Sequence, residues 1–454
     1  MLTILFLLIG LVSILSSQTY VTPGEGTLSE ALAAAQDGDV LLLVPDAEYT
    51  ETALSVLGTI VNKSLTISVD GEGKSIVRML KDLSSDSTGI FFRLGDQSSL
   101  NLNGLEFDGN SKIKYLVSYY MPEEATPTLI KKINVENCYI HDITDDVFHG
   151  EKSTGLTGYV VFDSTLIKNS VFHRIGVLLQ YKQAGSNYIA LTNSTIATVS
   201  SYGFRACGCD ATEGSGLPSN TPKVLIDHTT WYNIGTTDAR EIILGDKGPI
   251  LRPWTVTNSI FVDQVSRAGT TRRVVVNIKD NTTSSESCMG TITNICFWDI
   301  DKIAFYMHTV RDTIRMDPQF ADAANYDFTL PAGSPLLTYG TDDKPIGDSR
   351  WGTNYVKVID PQNINLPVEL ALAPVYPNPF NPTTTLSFRL PKSGLTTLMI
   401  YDLCGNAVEQ IVNTNLTAGD YRFTFNGSHL KSGIYLCRLS SAGQTSIQKM
   451  ILLK

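Results

Sequence analysis

The chain has 454 residues, of which 43% are hydrophobic and 18% charged, and its formal net charge is −10. Such acidity, with no basic stripe anywhere, excludes a nucleic-acid-binding role, and any acidic ligand has to be held by a local cationic patch or a bound cation. Seven cysteines are too few for a disulfide scaffold of this length.

Residues 2–15 are almost wholly apolar and lead into Ser16-Ser17-Gln18. A membrane span needs about 20 residues, so residues 1–18 read as a signal peptide, although no Lys or Arg precedes the apolar run. No later run is long enough to anchor the chain. A helix is predicted over residues 28–36, with Thr27 as N-cap and Glu30 completing a capping box. Asp37-Gly38-Asp39 stops it, and Val40-Leu41-Leu42-Leu43-Val44 follows as a buried strand. This order of helix, Gly-Asp, apolar strand and Glu48-Tyr49-Thr50 resembles the N-terminal cap of pectate-lyase-like right-handed parallel β-helices. A capping helix there covers an open sheet edge and the apolar end of the first coil.

The middle of the chain repeats itself. Asn137-Cys138-Tyr139-Ile140-His141-Asp142-Ile143 aligns with Asn169-Ser170-Val171-Phe172-His173-Arg174-Ile175 and with Asn193-Ser194-Thr195-Ile196-Ala197-Thr198-Val199. Further copies start at His228, Asn258 and Asn294, and Asn103-Gly104-Leu105-Glu106-Phe107 is a looser earlier one. Copies lie 24 to 36 residues apart, which suits one coil per copy with loops of varying length. The asparagines are expected at corners between strands, in the left-handed conformation, with their amides stacked from coil to coil. The predicted architecture is all-β, with residues 19–352 in one right-handed parallel β-helix (pectin lyase fold) that closes near Met316-Asp317-Pro318.

No Ser-His-Asp order, phosphate-cradling loop or zinc spacing stands out. Cys207-Gly208-Cys209 is the only close cysteine pair, and a buried thiol or an export-compartment disulfide explains it better than a metal. The long insertion that begins at Phe204-Arg205 and contains Glu213 is the kind of loop where ligand sites sit. Tyr119, Tyr120, Tyr181, Tyr202 and Trp231 are candidates either for sugar stacking or for core and rim packing. His141, His173 and His228 occupy corresponding or adjacent coil positions.

Arg240-Glu241-Ile242-Ile243-Leu244-Gly245-Asp246-Lys247 resembles a stretch of the alginate lyase and chondroitinase B family. The resemblance implies Glu241 as a calcium ligand, Lys247 as the base, and Arg267 or Arg272 as the acid, in a β-elimination that cleaves an acidic polysaccharide. The match departs from the family pattern: Ala239 stands where a second Glu is expected, the Lys falls one residue late, and no His follows either Arg. Lys182 and Arg205 form a reserve pair, with no Glu before Lys182. The alternative function is a non-catalytic glycan-binding or adhesin-like surface protein. Hydrolysis ranks third, because no carboxylate cluster of the kind it requires is evident.

Residues 353–370 lack periodicity and read as a linker. Residues 371–454 alternate in short runs between Pro, Gly and Asn turns, the pattern of an immunoglobulin-like β-sandwich. They carry Tyr376-Pro377-Asn378-Pro379-Phe380-Asn381-Pro382, Ile400-Tyr401-Asp402-Leu403-Cys404-Gly405, Ser432-Gly433-Ile434-Tyr435 and Lys449-Met450-Ile451-Leu452-Leu453-Lys454. These motifs resemble the C-terminal sorting domain of the type IX secretion system. That resemblance implies the secretion machinery as a partner and an extracellular or outer-membrane-surface location, and the mature protein is expected to be a monomer without a membrane span. Cys404 and Cys437 lie in this domain, and their spacing leaves open whether they pair.

Overall fold

The computed structural model describes residues 17–52, 59–60, 62–82, 89–119, 128–150, 160–181, 184–207, 222–237, 241–246, 253–262, 274–278, 290–300, 302–305, 309–352, 370–373, 375, 377–390, 394–403, 405–416, 419–441 and 443–454. Contacts divide the chain into two units, Met1–Pro318 with Pro335–Ser349, and Gln319–Ser334 with Arg350–Lys454. The first is the right-handed parallel β-helix. Among the described residues its 23 strands form one continuous hydrogen-bonded system, and every pairing between them is parallel, from Gln18–Val21 on Val40–Leu43 to Gly290–Trp298 on Thr309–Arg315.

Each coil contributes to three faces. The first face stacks Ser64–Val69, Ser99–Asn103, Thr128–Glu136 and Val160–Lys168. Glu48–Glu51, Ser75–Met79 and Leu105–Asp108 begin the second, and Ile90–Leu94 and Tyr115–Tyr119 belong to the third. One long strand, Tyr139–His149, serves both the second and the third, with a register shift between Ile143 and Asp146 where it turns. Inward side chains stack in ladders. On the second face Val77, Phe107, Ile140, Phe172, Ile196 and Trp231 stand one above another. On the first face Ile67, Leu102, Val135, Ile167, Leu191 and Ile226 do the same. All are buried, and each contributes about 1.5–3 kcal/mol of apolar burial.

The predicted repeat matches the observed register residue for residue: Tyr139 pairs with Val171, Ile140 with Phe172 and His141 with His173. Its basis is the corner between the first and second faces. Asn137, Asn169, Asn193, Asn258 and Asn294 all have φ between 45° and 56°, as does His228 at the same place. A single left-handed residue turns the chain there, and Asn tolerates that conformation better than most side chains. The amides form a ladder: Asn137 donates to Asn103 at 2.9 Å, Asn169 to Asn137 at 3.2 Å and Asn193 to Asn169 at 2.7 Å. A second ladder runs just behind it. The Cys138 amide donates to Ser170 Oγ and the Ser170 amide to Ser194 Oγ, both at 3.1 Å.

The helix Thr27–Ala34 caps the first coil and buries Leu28 and Leu32. Its start corrects the expected capping box. The N-cap is Gly26, in the left-handed region at φ 73°, and Thr27 is the first helical residue. Thr27 Oγ1 donates back to the Gly24 carbonyl at 3.2 Å, so it does not cap the helix amides. Two of the aromatic residues weighed for sugar stacking also lie in the interior. Trp231 is packed against Phe261, and Tyr181 is stacked on Phe162 with its hydroxyl 2.8 Å from Thr165 Oγ1.

Residues Pro335–Ser349 fold back over the outer side of the second face. Thr195 Oγ1 donates to Asp348 at 2.6 Å, the Gly347 amide to Asn258 O at 2.7 Å, and the Ser349 amide to Asn193 Oδ1 at 2.8 Å, ending the asparagine ladder. In the second unit, a three-stranded and a four-stranded antiparallel sheet enclose a core that includes Phe380, Leu398, Cys437 and Leu452. Cys437 is a buried free thiol, pushed up to about 12 by burial, and Cys404 lies outside the described residues.

The corner generates a prediction. Asn169→Ala removes the ladder amide and places a poor left-handed residue at the turn, costing about 2–3 kcal/mol. Asn169→Gly loses the amide alone and costs about half as much. Urea unfolding of the two variants measures the difference.

Candidate functional site

Two polar clusters form on the outer side of the helix, each from residues distant in sequence that the coil register brings together. The first lies on the second face. Arg78, Asp108, His141 and His173 succeed one another on adjacent strands, flanked by Glu106, Asp142 and Arg174. His141, 1% exposed, has Nδ1 2.6 Å from Asp142 and Nε2 3.3 Å from Glu106. Arg174 donates to both Asp142 oxygens at 2.8 and 2.7 Å. Arg78 bridges Asp108 at 2.7 Å and Glu48 at 2.5 Å.

Burial works against a charged His141, but the hydrogen bonds to Asp142 and Glu106 and the neighbouring carboxylates outweigh it and raise the imidazole to about 9. Burial likewise opposes the Asp142 carboxylate, and the Arg174 and His141 bonds overcome it, holding the carboxyl well below its usual range. His173 stacks on His141 at 4.9 Å; burial first, then the positive charges of Arg174 and His141, push it down to about 2, so it stays neutral. Asp108, His141 and Asp142 offer atoms within 4.8 Å of one another, a spacing a cation could use. Guanidinium and imidazolium groups already supply that positive charge. Glu106, Asp108 and Asp142 do gather here, but Asp142 is held ionised, whereas hydrolysis requires one protonated acid. The cluster reads as an ion network that holds adjacent coils together.

The second cluster lies on the third face. Phe92, Val117, Phe148, Leu179, Phe204 and Ile243 form its inward ladder. One residue further along each strand, a polar row runs outside: Arg93 beside Ser118, and His149, Gln180 and Arg205 in register. The Val117–Phe148 pairing sets Ser118 next to His149. Asp146 is fully buried beneath this row. It accepts from His149 Nδ1 at 2.5 Å and from Gln180 at 3.2 Å. Tyr115 stacks on the His149 ring at 3.9 Å. Burial pushes the Asp146 carboxyl up to about 7 against the lowering effect of His149.

Among the site residues expected from sequence, Lys247, Arg267, Arg272 and Lys182 lie outside the described residues, as does Tyr120. Arg205 belongs to the outer row of the third face, its guanidinium 5.2 Å from the Tyr202 ring centre. Glu241 is 4% exposed and precedes the strand Ile243–Asp246; the Phe204–Ile243 pairing sets it at the level of Tyr202 on the same face. Sequence reasoning thus reached this face through Arg205 and Glu241 but missed Asp146 and His149. Their only local signal is Asp-Val-Phe-His, acid and imidazole three residues apart. That spacing meets on one side only because Val147 and Phe148 both turn inward at the bend.

A pH dependence follows from the first cluster. His141 has a folded pKa raised above the ordinary imidazole value of about 6.5, so its contribution to stability is complete below pH 6.5 and is lost as pH rises through about 9. The melting temperature is expected to fall across that interval, and His141→Gln to flatten the fall. Carbon-detected NMR of the imidazole should titrate near 9.

Residues 374–453 match the secretion system C-terminal sorting domain, and residues 224–351 match a domain of unknown function, DUF5123. No curated protein sequence matches the chain. Among solved structures, the PL6 family alginate lyase AlyGC is similar with 15% identity and a TM-score of 0.47, over 66% of this chain and 39% of that one. The chain therefore spans about two fifths of that protein's length. Among the described residues no helix is long and apolar enough to cross a membrane. The C-terminal sandwich is a type IX sorting domain, and the chain is a parallel β-helix protein exported to the cell surface or the extracellular space.

Proposed function

We propose that this exported β-helix binds an acidic polysaccharide along the outer side of its third face and cleaves it by β-elimination. The observation that carries the reading is the row from Arg93 through His149 and Gln180 to Arg205. Strands in a sheet lie about 4.8 Å apart, so the row is a polar track along the helix axis with a guanidinium toward each end. In a chain of net charge −10, those two arginines supply the local positive charge that a uronate requires. Four of the connections that leave the third face are long in sequence, at residues 120–127, 150–159, 208–222 and 279–289, and long loops are where binding residues concentrate. By contrast, Pro335–Ser349 covers part of the second face.

Calcium held by Glu241 belongs to the same reading. A buried carboxylate is a hard oxygen donor of the kind the ion prefers, and bound calcium would help neutralise the substrate carboxylate. Chelation is then expected to lower activity and the melting temperature together. A binding protein without catalysis is the second reading, favoured by the near-complete burial of Glu241.

Arg93→Ala and Arg205→Ala are each expected to weaken binding of polyuronate about tenfold, close to 1.4 kcal/mol, with a smaller loss in high salt, where the wild-type affinity is already screened. Calorimetric titration with alginate, polygalacturonate, chondroitin and a neutral glucan measures this. Equal affinity for the neutral glucan, or no change in either variant, would sink the proposal. Ultraviolet absorbance from a new carbon–carbon double bond separates lyase from binder.

A further inference from the structure

We infer that His149 is the proton-transfer residue of this face and that Asp146 is its positioning residue, acting on a uronate held between Arg93 and Arg205. This rests on the reading of the third face as an acidic-polysaccharide site. Three features single out this pair from the other histidines. Asp146 is fully buried, and its Oδ2 takes the hydrogen bond from His149 Nδ1 at 2.5 Å, which fixes the tautomer and leaves Nε2 as the acceptor. No partner for Nε2 exists among the described residues, and the side chain retains 12% exposure. Finally, Tyr115, stacked on one side of the ring at 3.9 Å, and Gln180, donating to Asp146 at 3.2 Å, hold the two groups in place. His141 lacks this freedom, because both its nitrogens are engaged, and His173 is fully buried.

The burial of Asp146 is costly unless it serves something. No guanidinium or ammonium group is bonded to it among the described residues, and its Oδ1 has no hydrogen-bond partner. A buried carboxyl pushed up to about 7 is the kind of perturbed group that concentrates at functional sites. The first cluster shows what a purely structural acid looks like in this protein: Asp142 receives a bidentate guanidinium.

Nε2 of neutral His149 takes the proton from C5 of a uronate at the middle of the track, beside its carboxylate, while Arg93 and Arg205 hold the chain on either side. The C5–H electron pair becomes the C4–C5 double bond, and the C4–O4 bond breaks with its electrons on O4. The imidazolium then gives the same proton to O4, releasing a free hydroxyl on one fragment and an unsaturated uronate on the other. No water and no oxidant is consumed. As the charge on His149 rises and falls, Asp146 stabilises the imidazolium, much as a buried acid orients a histidine in other proton-transfer sites.

The test uses the full chain with polygalacturonate and alginate, following affinity by calorimetry and cleavage by the ultraviolet absorbance of the new double bond. His149→Ala is expected to lower kcat about a hundredfold or more, far beyond its effect on affinity, and Asp146→Asn to lower kcat while leaving KM in place. His149→Gln, which keeps a side chain beneath Tyr115, serves if the alanine variant misfolds by circular dichroism. A His149 variant that cleaves like the wild type overturns the inference and leaves the binding track standing. The same holds if the wild type binds without cleaving, or if Lys247→Ala or Lys182→Ala abolishes cleavage that His149→Ala spares. Loss of all binding in the wild type would instead refute the reading of the face itself.

Discussion

The β-helix depends on one backbone constraint, the single left-handed residue that turns each coil from the first face to the second. Where an asparagine adopts φ near 50° at that corner, the amide ladder and the parallel hydrogen bonds leave one register per coil. Because side chains alternate along a strand, a slip of one residue would move every inward Ile, Phe and Val to the outside. Fixed register is also what places Arg93, His149, Gln180 and Arg205 in one row, and Arg78, Asp108, His141 and His173 in another. Neither row is contiguous in sequence. Both are products of stacking.

The two rows show different solutions to the same electrostatic problem. Buried charges are expensive unless closely paired. On the second face the pairing is nearly complete: Arg174 on Asp142, Arg78 on Asp108 and Glu48, and His141 between Asp142 and Glu106. Such a network holds neighbouring coils together but has little left to offer a ligand. On the third face Asp146 is buried with one imidazole and one amide for company. That incomplete pairing, next to a partly exposed histidine, is what the proposed proton transfer rests on.

How much of this was legible in the sequence depended on whether the signal was local. The repeat was legible because Asn recurs at every corner from Asn137 to Asn294 except His228, with Ile, Phe or Trp three residues later, so the register follows directly. The sorting domain was legible from four ordered motifs between Tyr376 and Lys454. Thr27 misled because Thr-x-x-Glu satisfies a capping box, while its hydroxyl in fact bonds back to Gly24. Trp231 and Tyr181 offered no signal to separate core from rim, since an aromatic residue suits both. The carboxylates of the first cluster come from three coils, so no window of sequence displays them together; only the aligned columns Asp108–His141–His173 and Asp142–Arg174 hint at it. Asp146 and His149 were missed for a related reason: their meeting requires two consecutive inward residues at a bend, a departure from strict alternation.

The central claim is that the outer side of the third face is where an acidic polysaccharide is held and processed. A crystal structure of the full chain soaked with a uronate oligosaccharide tests it most directly. The account predicts sugar density along the row on the third face, uronate carboxylates against Arg93 and Arg205, and a C5 carbon within reach of His149 Nε2. Sugar bound over the second face, or on the sorting domain with the third face empty, would contradict it.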